Sequence, residues 1–265
     1  RHIMILYIQT PSIPRSGLHN ISIKNIVEYL DNCKHFSQIK WFVNLDAIKS
    51  TISSNHKWES YNTTKNNFEK IQSTLSKTSL DINVSHNPCF YLAFRHLTLS
   101  VLNDIKQSNL NNSDYCVLWL EDDWAFKNVS SFSKNLEAFI SEPQYKLYTL
   151  HKNKINMGGN ADIIKGDLFD KFNNVNLDID NKRDPENIRK GDVWVPHIFK
   201  QPLNLLREIN NNSNHPLRKS YPEILSSWDF EGDTGDNWRA NLSIAKNWSY
   251  ADKPGIDASR SFTYK

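Results

Sequence analysis

Cysteine is scarce in this chain: Cys33, Cys89 and Cys116 are the three among 265 residues, an odd number and widely spaced. That excludes a disulfide framework and points to a reducing compartment. Cys89 and Cys116 lie in apolar contexts and read as small core residues. Long apolar runs are also lacking, and none approaches the ~20 residues of a membrane span. The apolar start, Ile3 to Ile8, is too short for a signal peptide, and no small-residue cleavage site follows it. The expected location is therefore the cytoplasm. Nor is there an excess of one charge. With 32 basic and 29 acidic residues the net charge is +3, too balanced to argue for a nucleic-acid partner or a membrane surface. There is no Gly-x-x-x-x-Gly-Lys-Ser/Thr loop and no basic patch interleaved with aromatics. No repeat, heptad pattern or linker divides the chain, so a single domain over 1–265 is expected.

What is present is one stretch with unusual chemistry, Tyr115-Cys116-Val117-Leu118-Trp119-Leu120-Glu121-Asp122-Asp123-Trp124. The apolar run reads as a buried strand. It ends in three consecutive carboxylates, which repel one another unless a cation lies between them. Carboxyl ends of strands are where open α/β sheets place ligands. A hard, oxygen-seeking ion such as Mg²⁺ or Mn²⁺ suits such a cluster, the alternative being a solvated acidic turn. On a strand, Glu121 and Asp123 would point to one side and Asp122 to the other.

The elements around it follow an α/β order. Ile3 to Ile8 predicts a first strand, with a turn-rich loop from Gln9 to Gly17. Ile23, Ile26, Val27 and Leu30 keep helical spacing, with Asn20 or Ser22 as cap. Trp41 to Asp46 predicts a second strand. Residues 47–85 are polar, with one helix suggested by Phe68, Ile71 and Leu75. Asn87 and Pro88 open a long helix whose stripe is Phe90, Phe94, Leu97, Val101 and Ile105. After the acids come a helix over Phe132 to Ile140, a strand at Lys146 to Leu150, a turn at Gly158-Gly159, an apolar segment Ala161 to Ile164 and a short helix near Leu168. Pro202 to Ile209 and the stretch after Trp238 read as helical.

The hydrophobic-Glu-Asp-Asp ending resembles the DxD-type motif of GT-A glycosyltransferases. The opening strand–loop, the helix before the acid-bearing strand and a C-terminal half available for the acceptor fit the same family over most of the chain. Gly232 to Arg239, with Lys246-Asn247-Trp248, also resembles a D-I-G-R-x-W element of viral and bacterial sugar transferases, from which Thr234 and Asp236 depart. The resemblance implies a GT-A, Rossmann-like α/β fold with a central, mostly parallel sheet flanked by helices. Residues 1–125 would hold the nucleotide-sugar donor and 126–265 the acceptor. It implies a Mn²⁺ or Mg²⁺ cofactor bridging a diphosphate on Asp123, with Glu121 near the ribose or a metal-bound water. Asp122 counts among the donor-contacting residues with its own task open.

Further roles follow from the same resemblance. Thr10, Pro11 and Arg15 match base- and phosphate-contacting positions, and Asn44 and Asp46 match positions for uracil or ribose. Arg95 precedes the acids on a helix and is either a pyrophosphate ligand or a surface arginine. Gly158 and Gly159 would bring backbone N–H groups close to a sugar, or form an ordinary turn. Trp124 stacks on a sugar or plugs the core. An inverting enzyme needs a general base for the acceptor hydroxyl, and Glu186, Asp192 and Asp233 are the carboxylates in suitable positions. His197 and His215 are late histidines of the kind that ligate metal, or plain polar residues. The partners implied are a nucleotide-sugar, with UDP as the nucleotide, and a glycan or carbohydrate acceptor.

Two other function classes fit part of the pattern. Clustered carboxylates also serve metal-dependent phosphoryl or nucleotidyl transfer. Eight tryptophans would allow a non-catalytic carbohydrate-binding protein, although most lie in apolar runs.

Overall fold

The computed structural model describes residues 4–47, 59–86, 90–150, 161–175, 177 and 222–231. Strand β1 (Met4–Ser12) leads through the short helix α1 (Ser16–His19) to α2 (Ile23–Asp31) and β2 (Phe36–Asp46). Helix α3 (Tyr61–Gln72) and β3 (Thr78–Ser85) follow, then α4 (Phe90–Gln107) and β4 (Tyr115–Trp119). Beyond the acids lie β5 (Ala125–Phe126), α5 (Val129–Ser141), β6 (Leu147–Thr149), β7 (Asp162–Lys165) and α6 (Gly166–Phe169). A 3-10 turn (Asp170–Asn174) and strands β8 (Ile224–Ser226) and β9 (Phe230–Glu231) complete the described elements.

Seven strands form one sheet in the order β3-β2-β1-β4-β7-β6-β8, and β5 pairs with β9 separately. β1 runs parallel to β2 and β4, and β3 parallel to β2. β7 alone is reversed, antiparallel to both β4 and β6, while β8 runs parallel to β6. The carboxyl ends of β1, β2, β3, β4, β6 and β8 therefore share one edge of the sheet.

Apolar residues fill both faces, which is why the central strands read as continuous hydrophobic runs. On β4, Cys116 and Leu118 face one core, and Tyr115, Val117 and Trp119 face the other. The first core takes Ile23, Ile26, Val27 and Leu30 from α2, Phe68 and Ile71 from α3, and Phe132, Leu136 and Phe139 from α5. The second takes Phe94, Leu97 and Val101 from α4 and Leu168 and Phe169 from α6. Each such side chain contributes about 1.5–3 kcal/mol on full burial. In α2 that outweighs the few tenths of a kcal/mol per residue by which β-branched Ile and Val disfavour a helix. Packing, not propensity, holds that helix. Asn128 begins α5 by accepting from the Ser131 N–H at 2.9 Å.

Three differences from the sequence reading matter for the site. β1 continues through Gln9, Thr10, Pro11 and Ser12, where a loop was expected, because its ladder with β2 runs to Ser12 opposite Leu45. Pro11 is tolerated there because the ladder with β4 ends at Gln9, so β1 is paired on one side only at that point. β3 lies in the stretch read as polar. Leu80, Ile82 and Val84 alternate with Asp81, Asn83 and Ser85, as a half-exposed edge strand requires. Finally, β4 ends at Trp119, so the acids lie beyond the strand. The fold class is α/β as expected, a Rossmann-like, mostly parallel sheet flanked by helices.

Candidate functional site

The sheet ladder continues one residue past β4, where the Leu120 N–H donates to Gln9 O at 2.9 Å. The chain then turns, and the Trp124 N–H donates back to Glu121 O at 3.3 Å. Two-residue strand alternation does not apply inside such a turn. The expectation that Glu121 and Asp123 share a side, with Asp122 opposite, is corrected accordingly. Glu121 Oε1 accepts from Trp119 Nε1 at 3.1 Å, whereas Asp122 and Asp123 both meet Arg15.

Asp122 is almost fully buried, at 2% exposure, and its carboxylate is surrounded by donors. Oδ2 lies 2.9 Å from Ser12 Oγ, 3.0 Å from the Ile13 N–H nitrogen and 3.1 Å from Arg15 Nε. His19 Nε2 is 2.9 Å from the same oxygen. Oδ1 accepts from Arg15 Nη2. Its backbone carbonyl accepts from Ser22 Oγ at 2.8 Å. Burial by itself raises the carboxyl's pKa. The Arg15 charge and the hydrogen bond from His19 more than offset that, so Asp122 stays below the usual carboxylate range. His19 is itself buried and stacks on Phe68, ring centroids 4.8 Å apart.

The cation that three adjacent acids require is thus already present, and it is Arg15. Its guanidinium grips Asp122 through Nε and Nη2, and the same Nη2 lies 3.4 Å from Asp123 Oδ2. Such a two-point arginine–carboxylate contact fixes orientation as well as charge. The strand end, the α1 turn and the acidic turn are locked together by these contacts. Glu59 adds a second tie, accepting from Ser16 N at 2.7 Å, from Ser16 Oγ at 2.7 Å and from the Thr64 hydroxyl.

The donor set decides what kind of metal site is feasible. Among the described residues, no group of three or more His, Cys, Asp or Glu side chains is placed to hold an ion. Asp122 is consumed by its five donors. Asp123 lies beside Arg15 and Glu121 beside Trp119 Nε1, and Mg²⁺-type ions are commonly held by one or two carboxylates together with substrate phosphates and water. The residues fit an ion that arrives with a phosphate ligand, and do not form an all-protein cage.

Other expected site residues cluster at the same sheet edge. Asn83 Nδ2 donates to Asn44 Oδ1 at 2.7 Å, and Asn44 Nδ2 donates to Asp46 Oδ1 at 3.0 Å. This polar chain crosses the ends of β3 and β2. Thr10 is buried, its hydroxyl oxygen accepting from Trp41 Nε1 at 3.0 Å, and Pro11 lies opposite Asn44. Arg95 lies on α4, on the other side of the sheet from α2, and its Nε donates to Leu177 O at 2.8 Å. Trp124 packs in the first core at 3% exposure. Gly158, Gly159, Glu186, Asp192, His197, His215 and Asp233 lie outside the described residues.

Several residues of this edge escaped the sequence reading. Ser12 and His19, which flank the expected Arg15, carry no motif. Asp229 is buried at the end of β8, where the Tyr148 and Ser227 hydroxyls and Asn135 Nδ2 (3.0 Å) donate to its Oδ2. Burial, then the bond to Asp229, pushes the Tyr148 hydroxyl well above its ordinary pKa. Only the pairing of β6 with β8 brings these groups together.

No protein-family model matches the sequence, and no curated protein matches it. Solved structures resemble the fold loosely. TarS of S. aureus shares 9% identity at a TM-score of 0.44, over 73% of this chain and 56% of its own. Mannose-6-phosphate isomerase from Helicobacter pylori shares 11% at 0.33, over 59% of this chain and 54% of its own. A glycosyltransferase involved in glycosylation of the major capsid of PBCV-1 shares 10% at 0.35, over 84% and 81%. The chain spans just over half the length of the first two.

Proposed function

We propose that this chain is a metal-dependent glycosyltransferase that moves a sugar from a nucleotide-sugar, with UDP as the nucleotide, to a glycan or carbohydrate acceptor. The observation that carries this reading is the acidic turn at the carboxyl edge of the sheet, where Asp123 sits beside a fixed Arg15. That edge is where open α/β sheets take ligands.

In this reading Asp123 would hold a Mn²⁺ or Mg²⁺ ion that comes with the donor's diphosphate, and Glu121 would lie near the ribose or a water on that ion. Such an ion neutralises charge that develops on a diphosphate leaving group. The polar chain Asn83-Asn44-Asp46, with Thr10 and Pro11 beside it, frames the nucleoside. Arg15 supplies positive charge toward the phosphates. Asp122 serves the donor by fixing Arg15. Arg95 would contribute to the pyrophosphate only from the α4 side. Residues 1–125 form the donor half and 126–265 the acceptor half. For transfer with inversion, the proton of the acceptor hydroxyl would go to one of Glu186, Asp192 and Asp233, and Gly158-Gly159 would bring backbone N–H groups close to the sugar.

Asp123→Asn tests the assignment. The variant should melt like the parent protein yet lose Mn²⁺-dependent binding of UDP-sugars and transfer. Full donor binding and transfer by the variant would remove Asp123 from the site. A thermal-shift screen of UDP-, GDP- and CMP-sugars with Mn²⁺ identifies the donor, because a bound ligand stabilises the folded state by mass action. Stabilisation by GDP- or CMP-sugars instead would reject UDP.

A further inference from the structure

We infer that Arg15 is a built-in competitor of the divalent cation at Asp123, so that the site discriminates against free metal and accepts metal that arrives with a diphosphate. This rests on the glycosyltransferase reading above and adds a rule for how that site loads.

The geometry is asymmetric. Arg15 holds Asp122 at two points, Nε to Oδ2 at 3.1 Å and Nη2 to Oδ1, and makes a longer contact to Asp123, Nη2 to Oδ2 at 3.4 Å. Asp122 is in turn fixed by Ser12, the Ile13 N–H and His19. The guanidinium is therefore held more closely by Asp122 than by Asp123. Both partners of that looser contact are 9% exposed, so solvent screens it incompletely. A cation binding to Asp123 alone must work against a positive charge that the fold keeps at this distance. A cation carrying a diphosphate brings negative charge with it, and the guanidinium then attracts the incoming complex. Arg15 can lose its contact to Asp123 while keeping its two-point hold on Asp122. The same residue thus weakens one ligand and strengthens the other.

The test is Arg15→Gln, with binding of Mn²⁺ alone followed by the electron paramagnetic resonance signal of the free ion, and binding of UDP followed at saturating Mn²⁺. An amide removes the charge and keeps one donor for Asp122. Mn²⁺ alone should bind about tenfold more tightly than to the parent, from loss of a nearby unit charge. UDP in the presence of Mn²⁺ should bind more weakly. A merely structural arginine would lower both. Should Arg15→Gln fail to fold, the double variant R15Q/D122N removes both buried charges together and so leaves neither uncompensated, and the same opposed changes are expected with a smaller gain for Mn²⁺. In the unmodified protein, the Arg15 Nε–H resonance should move on addition of Mg²⁺ with UDP and stay in place with Mg²⁺ alone. Unchanged or weaker Mn²⁺ binding in a folded variant overturns the proposal and leaves the glycosyltransferase reading intact. Failure of the parent to bind Mn²⁺ even with UDP overturns the metal reading, and the proposal with it.

Discussion

His19 Nε2 lies 2.9 Å from Asp122 Oδ2, although the two residues are 103 positions apart. The contact joins the short helix after β1 to the turn after β4, and both residues are buried. It makes the middle acid of the motif a fixture of the fold. Asp122 holds the surrounding loops in place, while Asp123 touches the same Arg15 and Glu121 accepts from Trp119.

Replacing Asp122 should accordingly damage the fold more than replacing Asp123. Asp122→Ala leaves Arg15 buried without its main partner, a change that costs about 3–5 kcal/mol when a buried pair is broken. Asp122→Asn keeps acceptor and shape and should cost less. Urea unfolding monitored by tryptophan fluorescence measures both. Equal stability of Asp122→Ala and the parent would show that the clamp contributes nothing.

Asp31 gives the pH dependence. At the end of α2 it accepts from Ser76 N (2.9 Å), Ser76 Oγ (3.0 Å), Lys77 N (2.9 Å) and Thr78 Oγ1 (2.7 Å). Burial raises its pKa, but the Thr78 hydroxyl and the Ser76 and Lys77 N–H groups outweigh it, so the folded value is depressed. The unfolded chain therefore takes up this proton first as the pH falls. The stabilisation is complete above the unfolded value of about 3.9 and is lost as pH drops through the folded value. Asp31→Asn should destabilise by roughly 1–3 kcal/mol at neutral pH. The gap to the parent should narrow in unfolding curves taken below about pH 4. A gap that stays constant with pH would contradict this account.

Gly166 begins α6 against β4. A Cβ there would lie 2.7 and 2.9 Å from ring carbons of Tyr115 and would also collide with the backbone carbonyl of Asn112. The Tyr115 hydroxyl already donates to Gly166 O at 3.3 Å, so the ring has a reason to stay. Gly166→Ala should cost about 1–3 kcal/mol, as overpacking does, with a matching fall in Tm. A neutral or stabilising result would mean that α6 shifts freely on the sheet.

Cys116 and Cys33 should differ in reactivity. Cys116 is fully buried in β4, and burial pushes its thiol up to about 12. Cys33 is half-buried, and burial raises its thiol as well. Under native conditions iodoacetamide should modify Cys33 first, and Cys116 only as fast as the protein opens. Peptide mapping by mass spectrometry over time distinguishes the two sites. Early modification of Cys116 would show that β4 is not sealed.

The sequence by itself determined the elements whose side chains signal locally. The α2 stripe, the α4 stripe and the doubly buried β4 were legible because period and apolarity depend on near neighbours. β3 was within reach through Leu80, Ile82 and Val84, but its short polar partners masked the alternation. The adjacency of Glu121, Asp122 and Asp123 also came from the sequence, as did their need for a cation. The sequence left the task of Asp122 open. That was decided by Arg15, 107 positions from Asp122, and by His19, whose contacts exist only because β1 and β4 lie side by side in the sheet. Charge repulsion among neighbours is written in the chain, whereas the cation that relieves it is brought by the fold, because hydrogen bonds across such separations depend on sheet order and not on spacing along the chain.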